Sequence, residues 1–288
     1  MQPGLYIVGT PIGNLGDMSL RAVETLRGVD LIACEDTRTS GKLCTHFDIK
    51  TRRMAMHEHN EREVVGRIVD MIAGRITPGG ASQMEGLNPG AAVAIITDSG
   101  MPGISDPGFR LVRACRAEGL SVFVIPGPTA LVSALVLSGF PTDRFTFCGF
   151  LPSTEVARAT ALRNGNKIRH TIIYYESPGR IMDTVAALAR IMPERRVAIV
   201  REISKIHEET IIGYPSEILA KQENPLKGEI VLIIEPAPDV KMSDIEINEI
   251  VREVVAGAKG TKSAAAEISQ RTGMTKSEAY DKVLRTEG

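Results

Sequence analysis

Cysteine is scarce in this 288-residue chain: Cys34, Cys44, Cys115 and Cys148 are widely scattered and form no CxxC pair. That excludes a disulfide framework and a cysteine zinc site, and it points to a reducing, cytoplasmic setting. An excess of one charge sign is also missing. With 34 Lys and Arg against 35 Asp and Glu, the net charge of −1 gives no global pull toward nucleic acid, so any RNA contact has to come from local basic patches. Long apolar runs are lacking too. The most apolar segment, Val122 to Phe140, is broken by Pro126, Gly127 and Pro128 into a strand and a helix too short to cross a bilayer. The opening "MQPGLYIVGT" has no basic region followed by an apolar core, so no secretion signal is expected.

Three familiar motifs are absent as well. No G-x-x-x-x-G-K-[ST] occurs, which excludes a P-loop nucleotide hydrolase. The first turn spaces Gly9 and Gly13 without the G-x-G-x-x-G of dinucleotide folds, although Glu35 and Asp36 follow the second strand at about the distance a nicotinamide site would use. The His pair of "HEHNERE" (His57 to Glu63) lacks the helical i, i+4 spacing of H-E-x-x-H. It reads as ordered loop histidines near a polar substrate rather than as metal ligands.

What is present is an alternation of strand and helix patterns, with a hydrophobic content of 43% that suffices for two packed domains. Strands are expected at Leu5 to Val8, Leu31 to Cys34, Arg53 to Met56, Val93 to Thr97 and Val122 to Ile125, in a largely parallel sheet with covered faces. Helices are expected at Ser19 to Arg27, Asn60 to Ala73, Pro107 to Glu118 and Thr129 to Leu137. Between Gly74 and Ala92 the chain is too rich in Gly and Pro for a regular element and reads as a mobile surface loop. A second α/β set follows "SGFPTDR", with strands at Phe145 to Cys148, Thr171 to Tyr175, Val197 to Arg201, Glu209 to Gly213 and Glu229 to Glu235. "EPAPDVK" is a proline-broken linker. Beyond it, Ser243 to Ala256, Thr261 to Arg271 and Thr275 to Arg285 outline a helix-turn-helix-like module that either touches nucleic acid or serves packing or dimer support. The expected domains are therefore 1–139, 140–236 and a helical tail at 243–288.

Several stretches could carry chemistry. "VAIITDSGMPGISDPG" (Val93 to Gly108) runs from a strand into a loop of Gly, Pro, Ser and Asp, the place where open α/β sheets hold ligands. "LYIVGTPIGNLGD" leaves backbone N–H groups near a helix start, suited to anions and polar ligand groups. "CEDTRTSG" sets Glu35 and Asp36 beside Arg38 just past the second strand; they can orient a substrate or take a proton, or Asp36 can simply cap the next helix. "IPGPTALVSALVLSGFP" is a strand, a rigid turn and a small, apolar helix whose first turn alone would face a ligand. "YYESPGR" ends a second-domain strand that faces the first domain across a cleft, and the basic stretch Arg158 to His170 either touches phosphate or is a solvated helix face.

Taken in order, "GTPIGNLGD", "CEDTR", "HEHN", "TDSGMPGISDPG", "PGPTALVSAL", "SGFPTDRF", "GFLP", "YESPGR" and "KGEIVLII" closely resemble one family. It is the family of small-subunit methyltransferases that methylate the ribose 2′-hydroxyl of a cytidine in 16S rRNA, within the tetrapyrrole-methylase superfamily. The resemblance implies an α/β protein of two methylase-type domains with a cleft between them and a helical module after them. It further implies a homodimer, S-adenosyl-L-methionine in the cleft, and 16S rRNA of the small ribosomal subunit as partner. Matched onto this chain, the cofactor contacts fall on Pro11, Ile12, Ser99, Gly100, Met101, Ile104, Thr129, Ala130 and Glu176, several through main chain. Asp36 and His59 are the two candidates for accepting the hydroxyl proton, and the chemistry of the residues does not choose between them. Two other readings stay open: methylation of a tetrapyrrole or other small acceptor, and RNA binding or ribosome assembly without catalysis.

Overall fold

The computed structural model describes residues 1–57, 59–76, 90–222, 224–238, 244–258 and 260–287. They form two compact units, Met1–Ala237 and Pro238–Gly288. Most of the Gly- and Pro-rich stretch expected to be a mobile loop, residues 77–89, lies outside the described residues.

The first unit opens with β1 (Gly4–Val8), α1 (Leu20–Gly28), β2 (Leu31–Cys34), α2 (Thr37–His46), β3 (Arg53–Ala55), α3 (Glu61–Ile72), β4 (Ala92–Ile96), α4 (Phe109–Ala117) and β5 (Val122–Ile125). The five strands form one sheet in the order β3-β2-β4-β1-β5, and every pairing is parallel. Successive side chains of a strand point to opposite faces, so a sheet covered on both faces needs uninterrupted apolar strands. Val93 and Ile95 of β4 accordingly pack with Leu31, Ala33, Ile68, Met71 and Leu111 on the side of α3 and α4. Ala94 and Ile96 pack with Ile32, Cys34, Ala22 and Leu26 on the side of α1. Each fully buried Leu or Ile there contributes roughly 1.5–3 kcal/mol.

The chain continues into α5 (Ala130–Ser138), then β6 (Phe145–Phe150), α6 (Glu155–Gly165), β7 (Thr171–Glu176), α7 (Ile181–Ile191), β8 (Val197–Arg201), β9 (Glu209–Gly213), α8 (Pro215–Lys221) and β10 (Ile230–Ile234). The second sheet runs β6-β7-β10-β8-β9. Only β6 and β7 are parallel; β10 lies antiparallel between β7 and β8, and β9 is antiparallel to β8. One face is covered by α6, α7 and α8 through Leu162, Val185, Leu188 and Ile218. The other is covered by α5, whose Leu131, Ala134 and Leu135 pack on Ile173, Ala198, Val200, Val231 and Ile233. A helix that leaves the first sheet thus fills the core of the second, and this joins the two sheets into one unit.

Two boundaries differ from the sequence expectation in an instructive way. The helix expected from Pro107 begins at Phe109, because Gly108 takes a φ of 134 and the Pro107 carbonyl accepts from the Gly103 N–H at 3.1 Å. The third strand ends at Ala55, one residue early, and Met56 is buried.

In the second unit, α9 (Asp244–Gly257), α10 (Thr261–Thr272) and α11 (Lys276–Glu287) share a core of Val251, Val254, Ala265, Ile268, Ala279 and Val283. Gly273, at φ 75, closes α10 and makes the turn into α11.

Candidate active site

In a parallel sheet all strands end on the same edge, so the segments that leave β1, β4 and β5 meet there. The meeting is fixed by main chain. Thr10 N–H donates to the Gly100 carbonyl at 2.9 Å and Gly100 N–H donates back to the Thr10 carbonyl at 3.2 Å. Gly100 holds a φ of 84, a left-handed conformation that side-chain-bearing residues rarely take. Beside it the backbone of Gly9 runs so close to that of Gly127 that a Cβ on Gly9 would lie 2.7 Å from Gly127 Cα.

A cavity of about 320 Å³ opens between these segments and the second sheet, at the small end of the range for ligand sites. Its wall takes Ile12 from the first turn, Ser99, Gly100, Met101 and Ile104 from the loop after β4, and Thr129 and Ala130 from the start of α5. The second sheet adds Phe150, Tyr175, Glu176 and Glu229. Of the nine residues expected to hold a cofactor, all but Pro11 therefore share one cavity.

Glu176 sits there in a particular way. Its carboxylate is fully engaged within the protein: Oε1 accepts from the Ser177 N–H at 2.8 Å and from Arg180 Nη2 at 2.6 Å, and Oε2 accepts from Thr184 Oγ1 at 2.9 Å. With the residue only 2% exposed, the side chain locks the β7–α7 turn, and what it offers the cavity is the shape of that turn.

The two expected proton acceptors lie elsewhere. Asp36 caps α2: its Oδ1 accepts from the Arg38 N–H at 2.8 Å and its Oδ2 pairs with the Arg38 guanidinium at 2.9 Å. Those hydrogen bonds hold its carboxyl below the usual carboxylate range. His59 is exposed, its ring centroid 5.9 Å from that of His57. Neither residue lines the cavity.

Further residues of the cavity wall were not singled out one by one in the sequence, Asp106 and Phe150 among them, while Tyr175 lies within the "YYESPGR" stretch expected to face the cleft. Asp106 is on the wall, with its carboxyl pushed up to about 7 by burial and by the nearby Glu35 and Asp98. Phe150, 57% exposed, sets its ring edge against Tyr175 with centroids 5.4 Å apart. A usable signal existed for Asp106, an acid inside the Gly- and Pro-shaped loop at a strand end; for Phe150 only the folded arrangement shows that it faces the cavity.

Residues 4–218 match the family model for Tetrapyrrole (Corrin/Porphyrin) Methylases. Among curated relatives, Ribosomal RNA small subunit methyltransferase I of Halalkalibacterium halodurans is 38% identical over 285 residues, covering 96% of this chain and 93% of that one. The protein of the same name from Haemophilus influenzae is 41% identical over 283 residues, with 96% and 94% covered. The chain belongs to the tetrapyrrole methylase family. Solved structures agree on the fold of this methylase. Diphthine synthase superposes with a TM-score of 0.59 at 14% identity, covering 86% of this chain and 94% of that one. Uroporphyrin-III-C-methyltransferase from Thermus thermophilus gives 0.52 at 16% identity, covering 81% and 94%.

As a member of that family, the methylase has a cavity whose chemistry can be read directly. Apolar residues Ile12, Met101, Ile104 and Leu131 line it together with Phe150, Tyr175 and the acids Asp106, Glu176 and Glu229, and among the described residues no Lys or Arg does. The apolar walls and the two rings suit an amphipathic ligand with a soft positive charge, while Glu229 is paired with Lys205 at 3.2 Å.

Proposed function

We propose that this methylase transfers a methyl group from S-adenosyl-L-methionine to the ribose 2′-hydroxyl of a cytidine in the decoding region of 16S rRNA, in the small ribosomal subunit. The observation that carries the reading is the convergence of Ile12, Ser99, Gly100, Met101, Thr129, Ala130 and Glu176 on one cavity. Full-length relatives named for small-subunit rRNA methylation support the substrate class.

The residues present fit the donor. S-adenosyl-L-methionine would supply an electrophilic methyl on a positively charged sulfur. Apolar side chains and main chain from the loop after β4 would hold its uncharged parts, and the rings of Phe150 and Tyr175 would favour the sulfonium. Because the chemistry is a direct displacement, the protein acts chiefly by positioning. The paired Thr10 and Gly100 backbones, the Gly9–Gly127 contact and the locked Glu176 turn supply that rigidity.

The acceptor reaches the cavity at the edge where the parallel strands end. Arg38 and Arg110 stand at the starts of α2 and α4 on that edge, each already paired with an acid, Asp36 and Glu61, which an approaching phosphate would have to share. A cytoplasmic location accompanies a ribosomal substrate. The reading includes a homodimer, supported by the exposed Val132, Val136 and Leu137 of the apolar α5 and by Val124 on the edge strand β5; sedimentation at micromolar concentration checks it.

The deciding experiment incubates the protein with labelled S-adenosyl-L-methionine and unmodified small subunits, then maps the label to nucleotide and atom. Label on one cytidine ribose is the expected result. Label on a base, transfer only to a tetrapyrrole-type small acceptor, or RNA binding with no transfer would each replace this reading.

A further inference from the structure

Asp106 occupies a wall position that the loop around it makes rigid. Ser105 before it takes a left-handed φ of 62, and Pro107 after it has a fixed φ. From behind, Gly108 N–H donates to Glu61 Oε1 at 3.2 Å, and Glu61, only 8% exposed, pairs through Oε2 with Arg110 at 3.2 Å. Among the described residues, the charged groups that bear on the Asp106 carboxylate are acidic: Glu35 from the end of β2, and Asp98 from the end of β4, whose Oδ1 accepts from the Asp36 N–H at 3.4 Å. From the second sheet Tyr175 faces it, a hydroxyl on which the charges of Asp106 and Glu229 both act.

We propose that Asp106 is the group that accepts the proton of the attacking hydroxyl during methyl transfer. This rests on the reading of function above and deepens it. In the step, the O2′–H bond breaks and its proton passes to an Asp106 carboxylate oxygen while O2′ forms a bond to the methyl carbon. The C–S bond breaks with its electron pair left on sulfur, and the proton later leaves Asp106 for solvent. The two neighbouring acids suit this role. Burial first, and these two acids in addition, raise the proton affinity of Asp106, so its pKa of about 7 is matched to neutral conditions. Asp36 has the opposite character, since Arg38 lowers its basicity.

The test measures single-turnover methyl transfer from labelled S-adenosyl-L-methionine to unmodified small subunits, from about pH 5 to about pH 9, with the full chain. For the wild type the rate rises to a plateau with a midpoint near 7. Asp106→Asn lowers the plateau roughly 10²–10⁴-fold and flattens the profile, while calorimetry shows donor affinity close to wild type. Glu35→Gln keeps a titrating profile but moves its midpoint to lower pH. The proposal is overturned if Asp106→Asn stays within about tenfold of wild type, if its loss of rate tracks loss of donor binding, or if Glu35→Gln leaves the midpoint in place. Wild-type protein that binds donor but methylates no subunit overturns the functional reading itself, an outcome separate from all of these.

Discussion

Thr10 and Gly100 exchange main-chain hydrogen bonds in both directions, at 2.9 and 3.2 Å, although 90 residues separate them in sequence. The exchange ties the first turn to the loop after β4, so the two segments that wall the cavity move as one body. A Cβ on Gly100 has room, 3.5 Å from Ile12 Cγ2, but the φ of 84 does not suit it. Gly100→Ala should cost about 1–2 kcal/mol of stability and weaken donor binding several-fold. Gly9→Ala should be worse, about 1–3 kcal/mol or more, because its Cβ meets backbone that cannot yield. Urea denaturation compares the two, and equal losses would show that the Gly9–Gly127 approach is not tightly constrained.

Glu176 is a structural lock as well as a cavity residue. Glu176→Ala strips partners from the Ser177 N–H, Arg180 and the buried Thr184 hydroxyl, and should cost about 2–3 kcal/mol, less than a wholly buried pair because Arg180 is partly solvated. Glu176→Gln keeps an acceptor and should retain nearly normal donor affinity. A collapse of affinity in a stably folded Gln variant would mean that the carboxylate itself contacts the donor.

Asp106 makes stability depend on pH in a defined direction. Its folded-state pKa, raised from 3.8 to about 7, means that the folded protein holds this proton more tightly than the unfolded chain does. Its contribution to stability is therefore greatest at low pH, declines as pH rises from about 4 to about 7, and is level above. Asp106→Asn should be more stable than wild type at pH 8, by about 1–2 kcal/mol once solvent screening is allowed for, with the difference vanishing near pH 4. Thermal melts of both proteins across that range test it, and a constant difference would refute the assignment.

The four thiols should divide three to one. Cys34, Cys44 and Cys115 are buried, with Cys115 pushed up to about 11 by burial, while Cys148 is exposed. Titration of the native protein with a thiol-specific chromogenic disulfide should release one equivalent per chain, and all four after denaturation. Fast reaction of a second thiol would mean that one of the two sheets opens readily.

Strands buried on both faces were plain in the sequence, since "LIAC", "AVAII" and "IVLII" leave no polar face that could be solvated. The cavity segments were legible for a related reason: a Gly- and Pro-shaped loop after such a strand has few uses besides holding a ligand. Asp36 shows the limit. Its sequence context fits a helix cap and a proton acceptor equally, and only coordinates show the carboxylate already taken by Arg38. The start of α4 was misjudged because Pro107 fits a first helical turn, whereas the positive φ of Gly108 delays the helix by two residues.

Local chemistry by itself determined the alternating elements, the apolar helix after "IPGPT" and the loops that carry ligand-binding character, because periodicity and backbone preference act over a few residues. Tertiary structure alone decided which sheet α5 would cover, which acid would face the cavity, and that Phe150 would set its ring against Tyr175 on the cavity wall. Those outcomes depend on which distant surfaces exclude water together and on how neighbouring charges sum in space, and neither quantity is written in the order of residues along the chain.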